Sequence, residues 1–255
     1  MSWNDFEFIE IGTADWGTIT HYCENPRAPG RIASSLGSLI KSHIRHPWHY
    51  RGIAADPVRA HLRSLPNLPC VHKWQGALDE HRGTAPFYYV PPGAIRRYAG
   101  CYWYPFSAEP GDREVDVFYY AGSLGSLGHA HPNLAFMLEG IGRADLLRAT
   151  QVRVGDWGTL CETFGVGRVD VLQLDCEGRD CAILRGMMRY CRARPWSFPR
   201  IIQFEANHLT PALEVESTLA DLAHCGYRIT YRSMFNVMVT RHHKRCRATR
   251  RRRAR

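Results

Sequence analysis

Residues 8–17, with the sequence FIEIGTADWG, constrain the fold most, because a short apolar strand runs directly into a turn bounded by Gly12 and Gly17. Glycine at such a turn lets the backbone approach a ligand closely, as happens at the strand ends of open α/β sheets. Ala14 replaces the middle glycine of a pyrophosphate turn, and the Lys of a phosphate loop is missing. Asp15 would also repel phosphate. The turn therefore predicts an α/β domain that binds a cationic ligand without a phosphate.

Strands alternate with helices in the second half of the chain, which predicts a mostly parallel sheet with helices on both faces. Apolar spacing predicts strands at 169–174 and 200–204 and helices at 179–191 and 215–224. Two last strands, at 227–231 and 235–240, are only three residues apart, and they predict an antiparallel hairpin at the edge of the sheet.

The first half is less regular. Weaker patterns predict helices at 31–46 and 58–64 and strands at 52–55, 71–78, 87–90 and 115–120. Residues 91–111 are rich in Pro, Gly and aromatic residues and predict an irregular insertion, and residues 122–132 (GSLGSLGHAHP) predict a flexible loop. We therefore expect one domain over residues 1–240, with an insertion at about 91–132.

The chain carries a formal charge of +9, but its basic residues are unevenly distributed. Nine of the 33 Lys and Arg residues lie in residues 241–255, which hold no acids, so residues 1–240 balance 24 basic against 24 acidic residues. A block of like charges repels itself, which predicts a disordered basic tail. Such a tail either has no specific partner or makes weak contacts with nucleic acid or an acidic surface.

No run of about 18 apolar residues is present, so we expect no membrane span. The first residues lack the basic and apolar regions of a signal peptide. The nine cysteines are scattered without a CxxC pair, which favours reduced thiols in a cytoplasmic compartment over a disulfide scaffold or a zinc site.

Acidic residues end four of the predicted strands, at Glu10, Asp56, Asp175 with Glu177, and Glu205. Ligands of open α/β sheets bind beyond the carboxyl ends of the strands, and a buried carboxylate is costly unless it is paired. These acids therefore predict one shared polar crevice, although strand ends and helix N-termini also favour acids by themselves. Asp56 alternatively suits the N-cap of the following helix.

Residues 169–187, VDVLQLDCEGRDCAILRGM, resemble the strand-D-x-E-G-x-E-x-x-x-L-x-G segment of the FkbM-type methyltransferases. Looser similarities to this family lie in the EIGTADWGT turn, in Asp56-Pro57, in Ala77-Leu78, at 157–160 and in the I-x-x-E pattern at 201–205. The sequence departs from the family by one extra residue between the glycines of the first turn and by aspartates at positions 15, 56 and 180. The resemblance implies a Rossmann-like class I methyltransferase fold with a mostly parallel, seven-stranded sheet.

The resemblance also implies an S-adenosylmethionine-dependent methyltransferase that commonly modifies a hydroxyl of a sugar or small metabolite. At the methionine end of the cofactor, Gly12, Ala14 and Gly17 would shape the pocket, Asp15 would be a further contact, and Glu10 would hold the ammonium.

Asp56 would accept from the ribose hydroxyls, and Ala77 and Leu78 would border the adenine. Asp175 is assigned both to the cofactor pocket and, with Glu177, to catalysis, because alternate residues of an extended segment face one side. Close carboxylates raise each other's pKa, which suits a general base or a metal pair, whereas anchoring of the adjacent turn is the alternative role. The sequence assigns no metal ligand.

His208, just beyond Glu205, is a candidate base or acceptor contact. His129 and His131 lie in the glycine-rich loop and could contact the substrate as a mobile lid. The competing hypothesis is a non-catalytic module that binds an adenosine cofactor, or associates with RNA through the basic tail.

Overall fold

The computed structural model describes residues 4–12, 51–64, 71–91, 125–140 and 142–241. Several predicted features lie outside these residues: positions 14, 15 and 17, the helix at 31–46, the strand at 115–120, residues 92–124 of the insertion, and the tail beyond Arg241. Within the described residues, no helix has the length and apolar character needed to cross a membrane.

The described chain contains eleven strands and five α-helices. The strands are β1 (Asn4–Ile11), β2 (Gly52–Asp56), β3 (Val71–Gln75), β4 (Ala77–Leu78), β5 (Gly83–Tyr89), β6 (Ser126–Leu127), β7 (Arg148–Gly155), β8 (Val166–Leu174), β9 (Ile201–Glu205), β10 (Tyr227–Arg232) and β11 (Asn236–Arg241). The helices are α1 (Arg59–Ser64), α2 (Pro132–Gly140), α3 (Trp157–Phe164), α4 (Asp180–Arg192) and α5 (Ala212–His224). Short 3₁₀ turns lie at Ala144–Leu146 and Pro195–Ser197.

The main sheet has seven strands in the order β10-β11-β9-β8-β1-β2-β3. The five strands from β9 to β3 are parallel, and β11 pairs antiparallel with both β9 and β10. This confirms the α/β class, the mostly parallel pairing and the terminal hairpin. The chain first extends the sheet from β1 to β3 on one side and later adds β8 and β9 on the other, so the strand order reverses between β1 and β8.

One core cluster joins the central strands to the helices. Ile9 of β1, Leu172 of β8, Trp157 of α3, and Ile183 and Leu184 of α4 are all completely buried within it. Helix α4 lies between α3 and α5 and contacts both. The prediction of helices on both faces remains a prediction, because the helix predicted at 31–46 lies outside the described residues.

The third predicted strand, at 71–78, is wrong as a single element. The chain leaves the main sheet after β3, passes Gly76, and enters a second sheet of four strands in the order β4-β7-β5-β6. A Cβ at position 76 would lie 2.6 Å from the Trp74 ring, so glycine permits this change of direction. Apolar composition alone could not reveal the switch between sheets.

The prediction of a flexible loop at 122–132 is wrong for its described part. Ser126 and Leu127 form β6 against β5, and His131 is buried immediately before α2. The sequence also failed to predict α2, β7 and α3. In β7 only the last four residues include buried ones, so its exposed first half (RATQ) lacks the alternation of apolar and polar residues that predicts a strand.

Candidate functional site

A cleft with a cavity volume of about 50 Å³ opens at the carboxyl ends of β1, β2 and β8, where the strand order reverses. Ligands of open α/β sheets bind at this position. Five of the predicted site residues line the cleft: Gly12, Asp56, Ala77, Leu78 and Asp175. The structure thus brings together residues that the sequence places on four separate segments.

Gly12 joins the end of β1 to the segment that follows β8. Its φ of +83° is in the left-handed region, and a Cβ there would lie 1.8 Å from the Asp175 carbonyl oxygen. The backbone N–H of Asp175 donates to the Ile11 carbonyl (3.0 Å), and that of Gly12 donates to the Ala55 carbonyl (2.9 Å). The fold itself therefore requires glycine at this position, whatever ligand the cleft binds.

Asp56 is almost completely buried at the end of β2. Its Oδ1 accepts a hydrogen bond from the Val58 N–H (2.6 Å) and lies 3.1 Å from His61 Nδ1. Asp56 therefore anchors the turn into α1 while also lining the cleft. The sequence left two roles open for Asp56, in the crevice or at the start of the next helix. The observed position of Asp56 allows both roles.

The second sheet supplies an apolar wall of the cleft. Ala77 and Leu78 of β4 are buried beside Phe87 of β5 and Leu127 of β6, and all four line the cavity. An apolar wall of this kind suits a planar base. The sequence did not identify Phe87 and Leu127 as site residues, because their position depends on the pairing of β5 with a strand inside the predicted loop.

Three carboxylates meet beside the cleft. β8 and β9 pair with Gln173 opposite Gln203, and continuing this register brings Asp175 level with Glu205. Glu177 follows with a φ of 48°, in the left-handed region. One oxygen from each of Asp175, Glu177 and Glu205 lies within 4.8 Å of the other two. The crevice predicted from strand-end acids therefore includes these three side chains.

The close approach of these acids changes their ionisation. The Asp175 side chain is exposed at the cleft, but the protein packed around it removes part of the hydration of its carboxylate and raises its pKa to about 6. Burial, and then the charge of Asp175, raise the pKa of Glu177 and of Glu205. Each group is therefore more easily protonated than an isolated carboxyl.

A fourth carboxylate, Asp180, lies behind the three. Its side chain is 0% exposed, and its Oδ1 accepts from the Cys176 N–H at 3.3 Å. Its Oδ2 has no hydrogen-bond partner among the described residues, and the same is true of the buried Oε2 of Glu205. Burial, and then the charges of Asp175, Glu205 and Glu177, raise the pKa of Asp180 well above its usual range.

His131 contacts this cluster from the segment before α2. Its ring is buried, with Nδ1 accepting from the Asn133 N–H (3.1 Å) and Nε2 lying 3.1 Å from Glu177 Oε2. Since Nδ1 is an acceptor, a neutral ring carries its proton on Nε2 and donates it to Glu177. Burial lowers the pKa of His131, which favours this neutral form. His131 is thus a buried donor while His129 is exposed, and their contact with the substrate as a mobile lid stays a prediction.

The remaining predicted residues are not in the cleft or cannot be placed. Glu10 is buried in β1 between Ala54 and Gln173 and does not line the cavity. His208 is exposed in the segment between β9 and α5, and it makes no hydrogen bond or ion pair with a described residue. Three cofactor positions lie outside the described residues: Ala14, Asp15 and Gly17.

Together, the sheet order and the cleft define an α/β protein with a cavity beyond the strand ends of its main sheet. Residues 39–229 match the methyltransferase FkbM domain, which is more than half of the chain. The chain therefore belongs to the FkbM methyltransferase family, and the resemblance seen in the sequence is confirmed. The first turn lies outside the matched residues. No match was found among curated proteins or among solved structures.

Proposed function

We propose that the protein is an S-adenosylmethionine-dependent methyltransferase with a Rossmann-like class I fold that methylates a hydroxyl of a sugar or small metabolite. The observation that carries the proposal is the single cleft lined by Asp56 and Asp175, on the two strands that flank β1, with Gly12 at the end of β1 between them. The antiparallel β11 between β9 and β10 supports the class of fold.

The charge of the cleft suits this cofactor better than a nucleotide phosphate. Asp56 and Asp175 both line it, whereas the only Lys or Arg among its described lining residues is Arg179, which is ion-paired with Asp79. An ammonium, a sulfonium and ribose hydroxyls match an acidic lining, and a phosphate does not. We propose that the cell compartment is cytoplasmic, where the five described cysteines would stay free thiols, as in the structure.

We assign the cofactor contacts from the ends of the cleft. Asp56 would accept from the ribose, and the apolar wall of Ala77 and Leu78 would enclose the adenine with Phe87. The methionine end would lie at Gly12, toward the proposed contacts Ala14, Asp15 and Gly17, with Asp175 bordering both the cofactor and the acceptor. Glu10, which does not line the cavity, would reach the ammonium through water.

The chemistry asks little of the protein beyond alignment and proton removal, because the sulfonium is already activated. When bound, S-adenosylmethionine would supply its methyl group to the acceptor oxygen and leave as S-adenosylhomocysteine, with the electron pair of the broken carbon–sulfur bond on sulfur. The hydroxyl proton passes to a carboxylate, for which Asp175 and Glu177 are the candidates, and raised pKa values favour proton acceptance near neutral pH. His208 would be an acceptor contact.

Calorimetric titration with S-adenosylmethionine tests the cofactor assignment. We expect the protein to bind it, and we expect Asp56→Asn to weaken binding about 10-fold or more, because a hydrogen bond to a charged group is lost. The matched control is Asp145→Asn, which changes an exposed aspartate paired with Arg143 far from the lining residues. Absence of binding, or equal affinity of the two variants, would contradict the proposal.

Incubation with a metabolite extract and methyl-labelled S-adenosylmethionine tests the transfer itself. A labelled product whose structure shows a new methyl ether is the expected result. Cofactor binding without any labelled product would instead favour the non-catalytic adenosine-binding module.

A further inference from the structure

The acidic cluster has no visible counter-charge. Within the described ranges, no Lys or Arg lies within ion-pair distance of Asp175, Glu177, Glu205 or Asp180, and the one ion-pair contact is from His131 to Glu177. That ring accepts a hydrogen bond at Nδ1, so it serves as a neutral donor. Four close carboxylates without a cation are costly, since like charges repel and burial removes their hydration.

Asp180 independently indicates a missing ligand. A completely buried carboxylate normally satisfies both oxygens, yet its Oδ2 has no partner among the described residues, and Glu205 Oε2 is buried in the same condition. Asp180 adjoins the cluster, because its Oδ1 accepts from the N–H of Cys176, the residue between Asp175 and Glu177. A positive ion at the cluster would satisfy these orphaned oxygens electrostatically without any rearrangement of the fold.

The geometry fits a cation that prefers oxygen ligands. Opposite ligands of Ca²⁺ are about 4.6–5.2 Å apart and those of Mg²⁺ about 4.0–4.2 Å, taking twice the metal–oxygen distance. The cluster oxygens all lie within 4.8 Å of one another, a spacing at which one hard cation can contact all three. A set made of carboxylates alone favours Mg²⁺, Mn²⁺ or Ca²⁺ over softer metals.

We propose that Asp175, Glu177 and Glu205 bind one hard divalent cation beside the cleft, with the buried Asp180 behind the three ligands. His131 orients Glu177 by donating its Nε2–H, which is how ligating carboxylates are commonly fixed in metal sites. Three protein ligands leave further coordination positions for water or substrate.

A consequence for catalysis rests on the proposed function. Asp175 lines the cofactor cleft and is also a member of the cluster, so the cation lies next to the place where an acceptor meets the methyl group. A hydroxyl bound to the cation has a lowered pKa and loses its proton more easily. The cation would therefore place and activate the acceptor oxygen, and the second oxygen of Asp175 or Glu177, each of which supplies one oxygen to the ion, would take the proton.

Mn²⁺ binding to the full chain tests the proposal without any cofactor. The protein is first treated with a chelator to remove bound metal, and Mn²⁺ binding is then monitored by electron paramagnetic resonance. We expect one Mn²⁺ per chain, displaced by Mg²⁺ or Ca²⁺. Glu205→Gln and Asp175→Asn each remove one ligand charge with little change in shape, and each should weaken Mn²⁺ binding by at least about 10-fold. The control is Glu139→Gln, at an exposed position near the end of α2.

Thermal unfolding of the same proteins provides a second readout. Mn²⁺ should raise the melting temperature of the unmodified chain and of Glu139→Gln, and not that of either cluster variant. No bound Mn²⁺, or unchanged binding in either folded cluster variant, overturns the proposal. Because the measurements omit S-adenosylmethionine, Mn²⁺ binding in a protein that fails to bind the cofactor would refute the proposed function and leave the cation site standing.

Discussion

Gly12 shows how one residue serves the fold before it serves a ligand. The hydrogen bonds around it connect β2, β1 and the segment after β8, and the space for a side chain is occupied by the Asp175 backbone. A substitution at this position therefore tests folding, and loss of ligand binding in such a variant would say little about contact with a ligand.

We expect Gly12→Ala to lower the free energy of unfolding by more than about 2 kcal/mol, because a steric clash adds to the cost of a positive φ. The matched control is Gly128→Ala, since Gly128 has a φ of +88° but no atom within 4 Å of the place that a Cβ would occupy. That variant should lose only about 1 kcal/mol. Urea unfolding of both proteins measures the difference, and equal losses would show that the Asp175 contact is unimportant.

Helix α3, which the apolar pattern did not predict, is held by capping interactions at both of its ends. Asp156 accepts from the Thr159 N–H, the Thr159 hydroxyl accepts from the Asp156 N–H, and Gly165 ends the helix in a left-handed conformation. These capping residues are of types that can be recognised in a sequence, but eight helical residues are too few to show a clear apolar stripe.

Asp156→Ala should lower the free energy of unfolding by about 1 kcal/mol at neutral pH, whereas Asp156→Asn, which keeps a capping oxygen, should lose less. Burial opposes ionisation of Asp156, but hydrogen bonds from Thr159 and Arg82 outweigh it and hold its pKa below the usual value. The charge therefore contributes stability above the unfolded pKa of about 3.9, and this is lost as the pH falls through the folded pKa.

Denaturant titrations at pH 7 and near pH 3 check this. The stability difference between the unmodified chain and Asp156→Asn should shrink at the lower pH, and the cost of Asp156→Ala should persist in part because a protonated carboxyl still accepts a hydrogen bond. A difference between Asp and Asn that grows on acidification would contradict the assignment.

The long buried elements were predictable from sequence because burial imposes a period on their residues. Strands β8, β9 and β11 and helices α4 and α5 all have this property, and their predicted bounds differ from the structure by only a few residues. Strands β4, β6 and β7 depend on partners that are distant in sequence, so local pattern could not reveal the second sheet.

The part of the site that lies at the ends of the main strands was also predictable from the sequence. Acids at strand ends must meet when the strands are parallel, which is why Asp175 and Glu205 were grouped correctly. Asp180, at the start of α4, and His131, in the segment before α2, also belong to the acidic site. Their positions follow from packing and not from spacing along the chain.

At the scale of the whole molecule, a short turn at residues 79–82 fastens the second sheet to the helical layer. Asp79 pairs with Arg179, Glu80 pairs with two arginines of α4, and Arg82 pairs with acids at the start and middle of α3; the partners are Arg185, Arg189, Asp156 and Glu162. Arg185 continues the network to Glu214 of α5. The apolar wall of the cleft is thus held at a fixed place relative to α3, α4 and α5.

Glu80→Gln should lower the free energy of unfolding by about 1 kcal/mol, since a partly buried group with two arginine partners belongs to a network. Glu216→Gln is the control, because Glu216 has a single, exposed partner in Arg232 and should lose less than about 0.5 kcal/mol. High salt should reduce the difference by screening the charges. Urea unfolding measures both losses. Equal losses would show that the ion-pair network does not help to join the second sheet to the helices.

The contact between the end of β1 and the segment after β8 also determines when the cleft can form during synthesis of the chain. The Cys176 thiol donates to the Ile11 carbonyl across 165 residues, and the neighbouring backbone contacts are equally distant in sequence. A ligand-binding cleft cannot exist on the ribosome until β8 has been made and has paired with β1, because closure of so long a loop must come first. A ligand that recognises the finished cleft will therefore slow unfolding of the native protein without hastening its first formation.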